Sequence, residues 1–303
     1  MNITMKYFNS NIKCWKTFAK LVLAIKILIL SNLITCSYPS DIHNNQLKIK
    51  EAFEKNNISP IYEKCNYNQK TIAYTETRQI PPNLNKTILV FIHGSPGSWD
   101  NFLFFLKNTE LLKQTTMMSF DRLGYGRSNP GEPEVSLYNH AHAIGDCLNS
   151  KHPNSHWILV GHSYGGPVAS KIAMDFPKET KHLVLVAASI DPQLEKKEWF
   201  NYLAEWLVIQ WILPQELITS NVEILELKNE LENILSDWKK IKSPTTIVHG
   251  EKDTLVPFEN VKFAKDHLVN SKIEYILNPE WNHFIPWNQK EILLKALDKI
   301  LQN

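Results

Sequence analysis

The most constraining residues in this chain are those at positions 161–165, Gly-His-Ser-Tyr-Gly. Residues 156–160 before them form a short apolar run typical of a buried strand, and residues 167–176 after them have helical periodicity. Glycines two positions before and after Ser163 remove the Cβ atoms that would clash in a sharp turn from strand to helix. The pattern predicts a strained turn that presents Ser163 Oγ at the C-terminal edge of a sheet.

A serine flanked in this way also occurs in ordinary turns, so its partners decide its role. A serine nucleophile needs a base within hydrogen-bond reach and an acid that orients the base. Residues 244–250 predict a strand, and the loop after it contains Asp253. Residues 273–277 predict a last short strand, followed by a loop with His283. The chain therefore supplies a candidate nucleophile, acid and base in the order Ser163, Asp253, His283.

Two further segments complete the pattern: residues 93–97, His-Gly-Ser-Pro-Gly, and residues 121–128, Asp-Arg-Leu-Gly-Tyr-Gly-Arg-Ser. With the three loops above, they resemble the α/β-hydrolase superfamily from about residue 61 to the C-terminus. The resemblance implies an α/β fold with a mostly parallel, doubly wound sheet, and an acyl-transfer mechanism that uses no cofactor and no metal. We interpret residues 121–128 as structural.

Two other acidic residues compete with Asp253. Glu251 lies two positions earlier, and Asp191 follows the predicted strand 183–187, where some superfamily members place their acid. We favour Asp253 because the spacing G-x-x-D-x-x-x-P after the penultimate strand is the commoner arrangement in the resembled superfamily. Of the eleven histidines, three lie near these motifs and are interpreted as structural: His93, His162 and His249.

The resemblance also implies two backbone donors for an oxyanion. One is the N–H group of Tyr164, the residue after the nucleophile, and the other is the N–H group of Ser95 in the loop after an earlier strand. Residues 87–92, an apolar run, predict that strand.

A long insertion separates two of the predicted strands. Residues 191–243 exceed an ordinary connection and predict a short helical lid. Residues 199–207 are apolar nearly all round. An amphipathic stripe follows at Ile224, Leu227, Leu231, Ile234 and Trp238. Most of these side chains are expected to pack on the core, and a helix that is apolar on two sides predicts an apolar substrate pocket beneath it.

The N-terminal residues predict export. Lysines precede a short apolar run, and residues 33–36, Leu-Ile-Thr-Cys, resemble a bacterial lipobox in which Cys36 would be lipidated. Lys26 interrupts the apolar run and argues against a spanning helix. The predicted organisation is a signal segment at 1–36, a polar tether at 37–60 that ends in a lysine- and glutamate-rich helical segment, and a hydrolase domain at 61–303. A cytoplasmic location is the alternative.

Composition excludes some partners. The net charge is +2 without a basic stripe interleaved with aromatic residues, so no nucleic-acid partner is expected. The remaining cysteines, Cys14, Cys65 and Cys147, have no metal-ligand spacing and form no even-numbered framework, and we predict neither a disulfide scaffold nor a metal site.

The expected function is hydrolysis of a carboxylic ester or a related acyl substrate with an apolar part. Carbon–carbon bond hydrolysis, aminopeptidase action and acyl transfer use the same triad and remain alternatives. A lipid-tethered binding protein that kept the fold and lost the chemistry is an alternative of another class.

Overall fold

The centre of the structure, a computed structural model that describes residues 46–78, 86–195 and 213–302, is a sheet of eight strands. In chain order these are β1 (Ile61–Tyr67), β2 (Lys70–Thr77), β3 (Thr87–Ile92), β4 (Thr116–Asp121), β5 (His156–His162), β6 (Thr180–Val186), β7 (Thr245–Gly250) and β8 (Ile273–Asn278). Their order in the sheet is β1-β2-β4-β3-β5-β6-β7-β8. The pairs β1–β2 and β2–β4 are antiparallel, and every pair from β4 across to β8 is parallel. The predicted mostly parallel sheet is confirmed.

Helices follow most strands. They are α1 (Gln46–Glu54), α2 (Leu103–Leu106), α3 (Thr109–Leu112), α4 (Leu137–Lys151), α5 (Gly165–Asp175), α6 (Gln215–Asn233), α7 (Asn260–His267), α8 (Ile285–Asn288) and α9 (Lys290–Leu301), with 3-10 turns at Trp99–Phe102 and Leu235–Lys240. Alternate residues of β3 enter different apolar clusters, Val90 with α4 and α5, and Phe91 with α1 and α9. The sheet is therefore covered on both faces, which is why its central strands are apolar without alternation.

Helix α1 belongs to the folded unit. Its Phe53 is 1% exposed and stacks at a centroid distance of 6.4 Å on Trp99, and Ile58 is also buried. The compact unit spans Leu47–Asn303. The helical segment predicted at the end of residues 37–60 is therefore present, but it packs on the folded unit instead of belonging to a tether, because a few apolar side chains in a charged segment suffice to dock it. The predicted signal segment at 1–36 lies outside the described residues.

A disulfide links Cys65 in β1 to Cys147 in α4, with a Cα–Cα distance of 5.6 Å. We predicted no disulfide scaffold, and this single bond was not anticipated. The two cysteines are 82 positions apart and have no local spacing signal. They meet only because α4 packs across the β1 end of the sheet, which is a tertiary consequence of the strand order.

The insertion between β6 and β7 contains α6 and the second 3-10 turn. Four members of the predicted stripe are buried, namely Leu227, Leu231, Ile234 and Trp238, whereas Ile224 is partly exposed. Residues 199–207, the apolar segment in the first part of the predicted lid, lie outside the described residues. Within the described ranges, no helix has the length and apolar character needed to cross a membrane.

Candidate active site

Ser163 occupies a strained turn between β5 and α5. Its φ angle is 53°, in the left-handed region that residues other than glycine rarely adopt. Its backbone N–H donates to Val186 O at 3.0 Å, and its carbonyl accepts from Gly166 N at 2.8 Å. Strain of this kind persists only where surrounding contacts hold it, and it is typical of functional turns.

The glycines of this turn are required by close backbone approaches. A Cβ atom on Gly161 would lie 2.3 Å from Gly165 O, and one on Gly165 would lie 2.2 Å from Ile92 O. Neither position has room for a larger residue without moving the backbone. The five-residue pattern in the sequence therefore reflects tight packing of α5 against β5 and β3.

Asp253 and His283 form a pair at the C-terminal edge of the sheet, in the loops after β7 and β8. His283 Nδ1 lies 2.8 Å from Asp253 Oδ2. A carboxylate can only accept, so Nδ1 carries the proton and Nε2 is left as an acceptor. Asp253 Oδ1 accepts from the N–H groups of Leu255 at 2.9 Å and Val256 at 2.8 Å. These contacts fix the carboxylate while it orients the imidazole.

Asp253 is ionised in this environment. Burial alone would raise its pKa, but hydrogen bonds from His249 and His283 lower the pKa well below the usual carboxyl value. His249 Nε2 lies 3.4 Å from Asp253 Oδ2 and donates to Val256 O at 3.1 Å. His249 was interpreted only as a strand residue, and its proximity to the acid was not predicted, because it depends on the path of the loop after β7.

His283 lies beside the serine turn. His162 Nε2 donates to His283 O at 3.0 Å, and the two imidazole rings are 4.8 Å apart. Burial, with the neighbouring His283, lowers the pKa of His162 to about 3, so this ring is neutral. The hydrogen bonds that the structure describes for His283 join it to Asp253 and His162, and Ser163 Oγ is not among these partners. Such bonds often tighten only when substrate binds.

The two competing acids lie elsewhere. Asp191 Oδ1 accepts from Gln193 N at 2.8 Å, and its backbone N–H donates to Asn260 Oδ1 at 2.9 Å. Glu251 is exposed. The arrangement therefore brings Asp253, and neither competitor, to the histidine.

The loop that contains Ser95 lies against the serine turn. A Cβ atom on Gly94 would be 3.0 Å from Ser163 Cβ, and Tyr164 opens helix α5 on the other side. Of the two predicted oxyanion donors, the N–H group of Tyr164 follows the nucleophile directly in the chain, and the N–H group of Ser95 belongs to the loop that packs against the serine turn. Free N–H groups at a helix start favour negative charge.

A buried ion pair beneath this loop was not predicted. Arg122 Nη1 donates to Glu223 Oε1 at 2.6 Å, and both side chains are 0% exposed. The carboxylate also accepts from Tyr125 and from Ser95 Oγ, each at 2.7 Å. One sequence signal was available: Glu223 precedes Leu227 by one turn on the buried stripe of α6, where a carboxylate needs a charged partner.

Comparisons with known proteins agree with the fold. A family model described as alpha/beta hydrolase fold matches residues 87–211. The (Lyso)-N-acylphosphatidylethanolamine lipase of Bos taurus is 35% identical over 115 residues, which cover 36% of this chain and 33% of the relative. The pimeloyl-[acyl-carrier protein] methyl ester esterase of Proteus mirabilis (strain HI4320) is 36% identical over 107 residues, covering 34% and 37%. The chain thus spans about a third of the length of these curated relatives.

A solved structure is similar over more of the chain. MGS-M2, an alpha/beta hydrolase enzyme from a Medee basin deep-sea metagenome library, has a TM-score of 0.61 at 18% identity, covering 80% of this chain and 98% of that one. In the part of the chain that the structure describes, no group of three or more His, Cys, Asp or Glu side chains is arranged to hold a metal ion.

Proposed function

This chain belongs to the α/β-hydrolase superfamily, and we propose that it is a serine hydrolase that cleaves carboxylic esters through an acyl-enzyme. The observation that carries the proposal is the buried hydrogen bond of 2.8 Å between His283 Nδ1 and Asp253 Oδ2, beside the strained Ser163 turn. Acyl transfer by a serine hydrolase uses a carboxylate that orients an imidazole, and an imidazole that takes the proton of a serine.

The proposed first step is attack of Ser163 Oγ on the ester carbonyl carbon. His283 Nε2 takes the serine proton as the C–O bond of the new acyl-enzyme forms, and returns it to the leaving alkoxide as the old ester bond breaks. Asp253 holds the tautomer and stabilises the imidazolium. The N–H groups of Ser95 and Tyr164 bind the oxygen that becomes negative.

The second step replaces the leaving alcohol by water. His283 takes a proton from water, the hydroxide attacks the acyl carbon, and the proton returns to Ser163 Oγ as the carboxylic acid leaves. The proposed substrates carry an apolar acyl part, since the predicted lid is apolar and one relative is named a lipase.

We also propose that the enzyme is exported. The disulfide between Cys65 and Cys147 supports this location, because such bonds persist in oxidising compartments and are rare in the cytosol. Anchoring to a membrane through a lipid on Cys36 completes the proposed location.

The test is a panel of p-nitrophenyl esters of increasing acyl length, together with an aminoacyl anilide and a carbon–carbon hydrolase substrate. Turnover of esters, increasing with chain length, is the expected result. Ser163→Ala should reduce turnover by a factor of about 10⁶, as in subtilisin, and abolish labelling by a fluorophosphonate probe.

The matched control is Ser271→Ala. Ser271 lies just before the N-terminal end of β8, whereas Asp253 and His283 follow the C-terminal ends of β7 and β8. The Ser271 hydroxyl donates to Ser243 O. This variant should keep wild-type turnover and labelling. Labelling that persists in Ser163→Ala, or preference for the anilide or the carbon–carbon substrate, would contradict the proposal.

A further inference from the structure

The carbonyl groups of the Ser95 loop are held by one arginine. Arg122 Nε donates to His93 O and Arg122 Nη2 donates to Gly94 O, each at 3.0 Å. The planar guanidinium thus spans two successive carbonyls with a rigid fork, which a lysine ammonium does not reproduce.

The His93 side chain also donates to one of these carbonyls, that of Gly94. Its Nε2 accepts from the backbone N–H of Arg122 at 2.9 Å, so Nδ1 carries the ring proton and donates to Gly94 O at 2.7 Å. Burial lowers the pKa of His93 well below its usual value, which keeps the ring neutral in this tautomer. Gly94 O therefore accepts two hydrogen bonds, one from Arg122 Nη2 and one from His93 Nδ1.

These bonds determine where the next N–H points. The peptide between Gly94 and Ser95 is trans, so its carbonyl and its N–H point in opposite directions. Since Gly94 O faces Arg122 and His93, the N–H of Ser95 faces away from them. Glycine at position 94 has wide conformational freedom, so without these bonds the peptide plane would be free to rotate.

Helix α6 holds the arginine in place. Glu223 Oε1 and Oε2 accept from Arg122 Nη1 at 2.6 Å and Nη2 at 3.0 Å. Glu223 Oε2 also accepts from Ser95 Oγ, so the same carboxylate contacts the loop directly. A buried arginine without this partner would be an uncompensated charge, which is strongly unfavourable.

We propose that Arg122 is a positioning residue that fixes the Gly94–Ser95 peptide with its N–H toward the oxyanion, and that Glu223 makes this dependent on helix α6. The inference rests on the proposed function in taking the Ser95 N–H as an oxyanion donor. Arg122 also lies 4.4 Å from the ring centroid of Tyr164, the residue that supplies the other donor. Arg122 therefore contacts both residues whose N–H groups are proposed to bind the oxyanion, the Ser95 loop through its carbonyls and Tyr164 through its ring.

The test compares Arg122→Lys with Arg127→Lys. Arg127 lies in the same loop and pairs with Asp121 at 2.9 Å, but donates to Asp121 and Thr75 rather than to the Ser95 loop. Arg122→Lys keeps a positive charge beside Glu223 but loses the planar guanidinium that donates to His93 O and Gly94 O together. We expect kcat to fall by a factor of about 10² with little change in KM, as on removal of one oxyanion donor. Arg127→Lys should retain the wild-type kcat.

A second readout separates positioning from general loosening. Affinity for a trifluoromethyl ketone, whose hemiketal oxyanion occupies the same site, should fall with kcat/KM in Arg122→Lys, while KM for the ester stays constant. Glu223→Gln should show the same pattern more weakly. Glu226→Gln, at a partly exposed position on the same helix, should not, since the hydrogen bond that the structure describes for Glu226 comes from the neighbouring Asn229. Loss of stability with kcat and ketone affinity unchanged would overturn the inference.

A crystal structure of Arg122→Lys provides a readout without turnover. The expected result is a Gly94–Ser95 peptide whose N–H has rotated away from Ser163. An unchanged peptide would overturn the inference even if the wild-type enzyme cleaved none of the esters, a result that would count separately against the proposed function.

Discussion

Asp253 is the residue whose replacement best separates the candidate acids. Asp253→Asn should lower turnover by a factor of about 10⁴, as the same change in the triad of a serine protease does. The reason is that an amide at this position stabilises the wrong tautomer of His283. Asp191→Asn should change turnover little, since Asp191 bonds to its own turn. Steady-state kinetics on the best ester checks both. Collapse in Asp191→Asn with normal turnover in Asp253→Asn would reverse the assignment.

Ionisation of Asp253 makes the free energy of unfolding depend on pH. Burial opposes ionisation of Asp253, but the bonds from His249 and His283 prevail and hold its folded pKa below the unfolded value. The unfolded chain therefore binds the proton first, and the stabilisation is complete above pH about 5 and is lost as pH falls toward the folded pKa. Urea unfolding at pH 7, 4 and 3 should show a smaller decline for Asp253→Asn than for wild type. Equal declines would contradict this.

Among the elements, β1 and α4 are joined by the disulfide. Replacing both cysteines, Cys65→Ala with Cys147→Ala, should lower the free energy of unfolding by about 2–4 kcal/mol, because the bond closes a loop of 82 residues in the unfolded chain. The bond lies at the β1 edge of the sheet, whereas Asp253 and His283 follow β7 and β8 near the other edge. Turnover at low temperature should therefore persist. Unfolding in urea, with reduced wild type for comparison, measures the effect, and equal stabilities would refute it.

Helix α1 provides a second test at this scale. A chain beginning at residue 61 loses Phe53 and Ile58, both buried, and should be less stable than one beginning at residue 46 by about 3 kcal/mol or more. Phe53→Ala in the full chain should reproduce much of the loss, whereas Leu47→Ala, at a position 71% exposed, should have little effect. Thermal unfolding of these four chains and of the full-length wild type measures this. Equal melting temperatures would mean that residues 46–60 are only a tether.

At the scale of the whole molecule, the sequence is informative where one segment determines its own environment. The central strands could be predicted because burial on both faces requires apolar runs, and Ser163 because its turn requires glycines nearby. Pairings between distant segments could not, since Cys65 with Cys147 and Arg122 with Glu223 depend on strand order and helix packing. The docking of Phe53 was missed for the same reason, because a lone aromatic residue in a charged helix has no periodic signal.

The location of the whole protein is the remaining prediction, and it concerns residues that precede the folded unit. If Cys36 carries lipid, the acyl chains should hold the enzyme on membranes, because two or more chains give stable anchoring and one gives only marginal binding. Cys36→Ser should then move ester hydrolysis to the soluble fraction, or leave an unprocessed precursor attached through residues 1–35, and should abolish labelling by a fatty-acid analogue.

Cys14→Ser, at a position before the apolar run, is the control and should keep the label. A wild-type protein that is unlabelled and soluble inside the cell, with Cys65 and Cys147 reduced, would refute both export and lipidation. The proposed chemistry would be unaffected, because Ser163, Asp253 and His283 all lie in the folded unit.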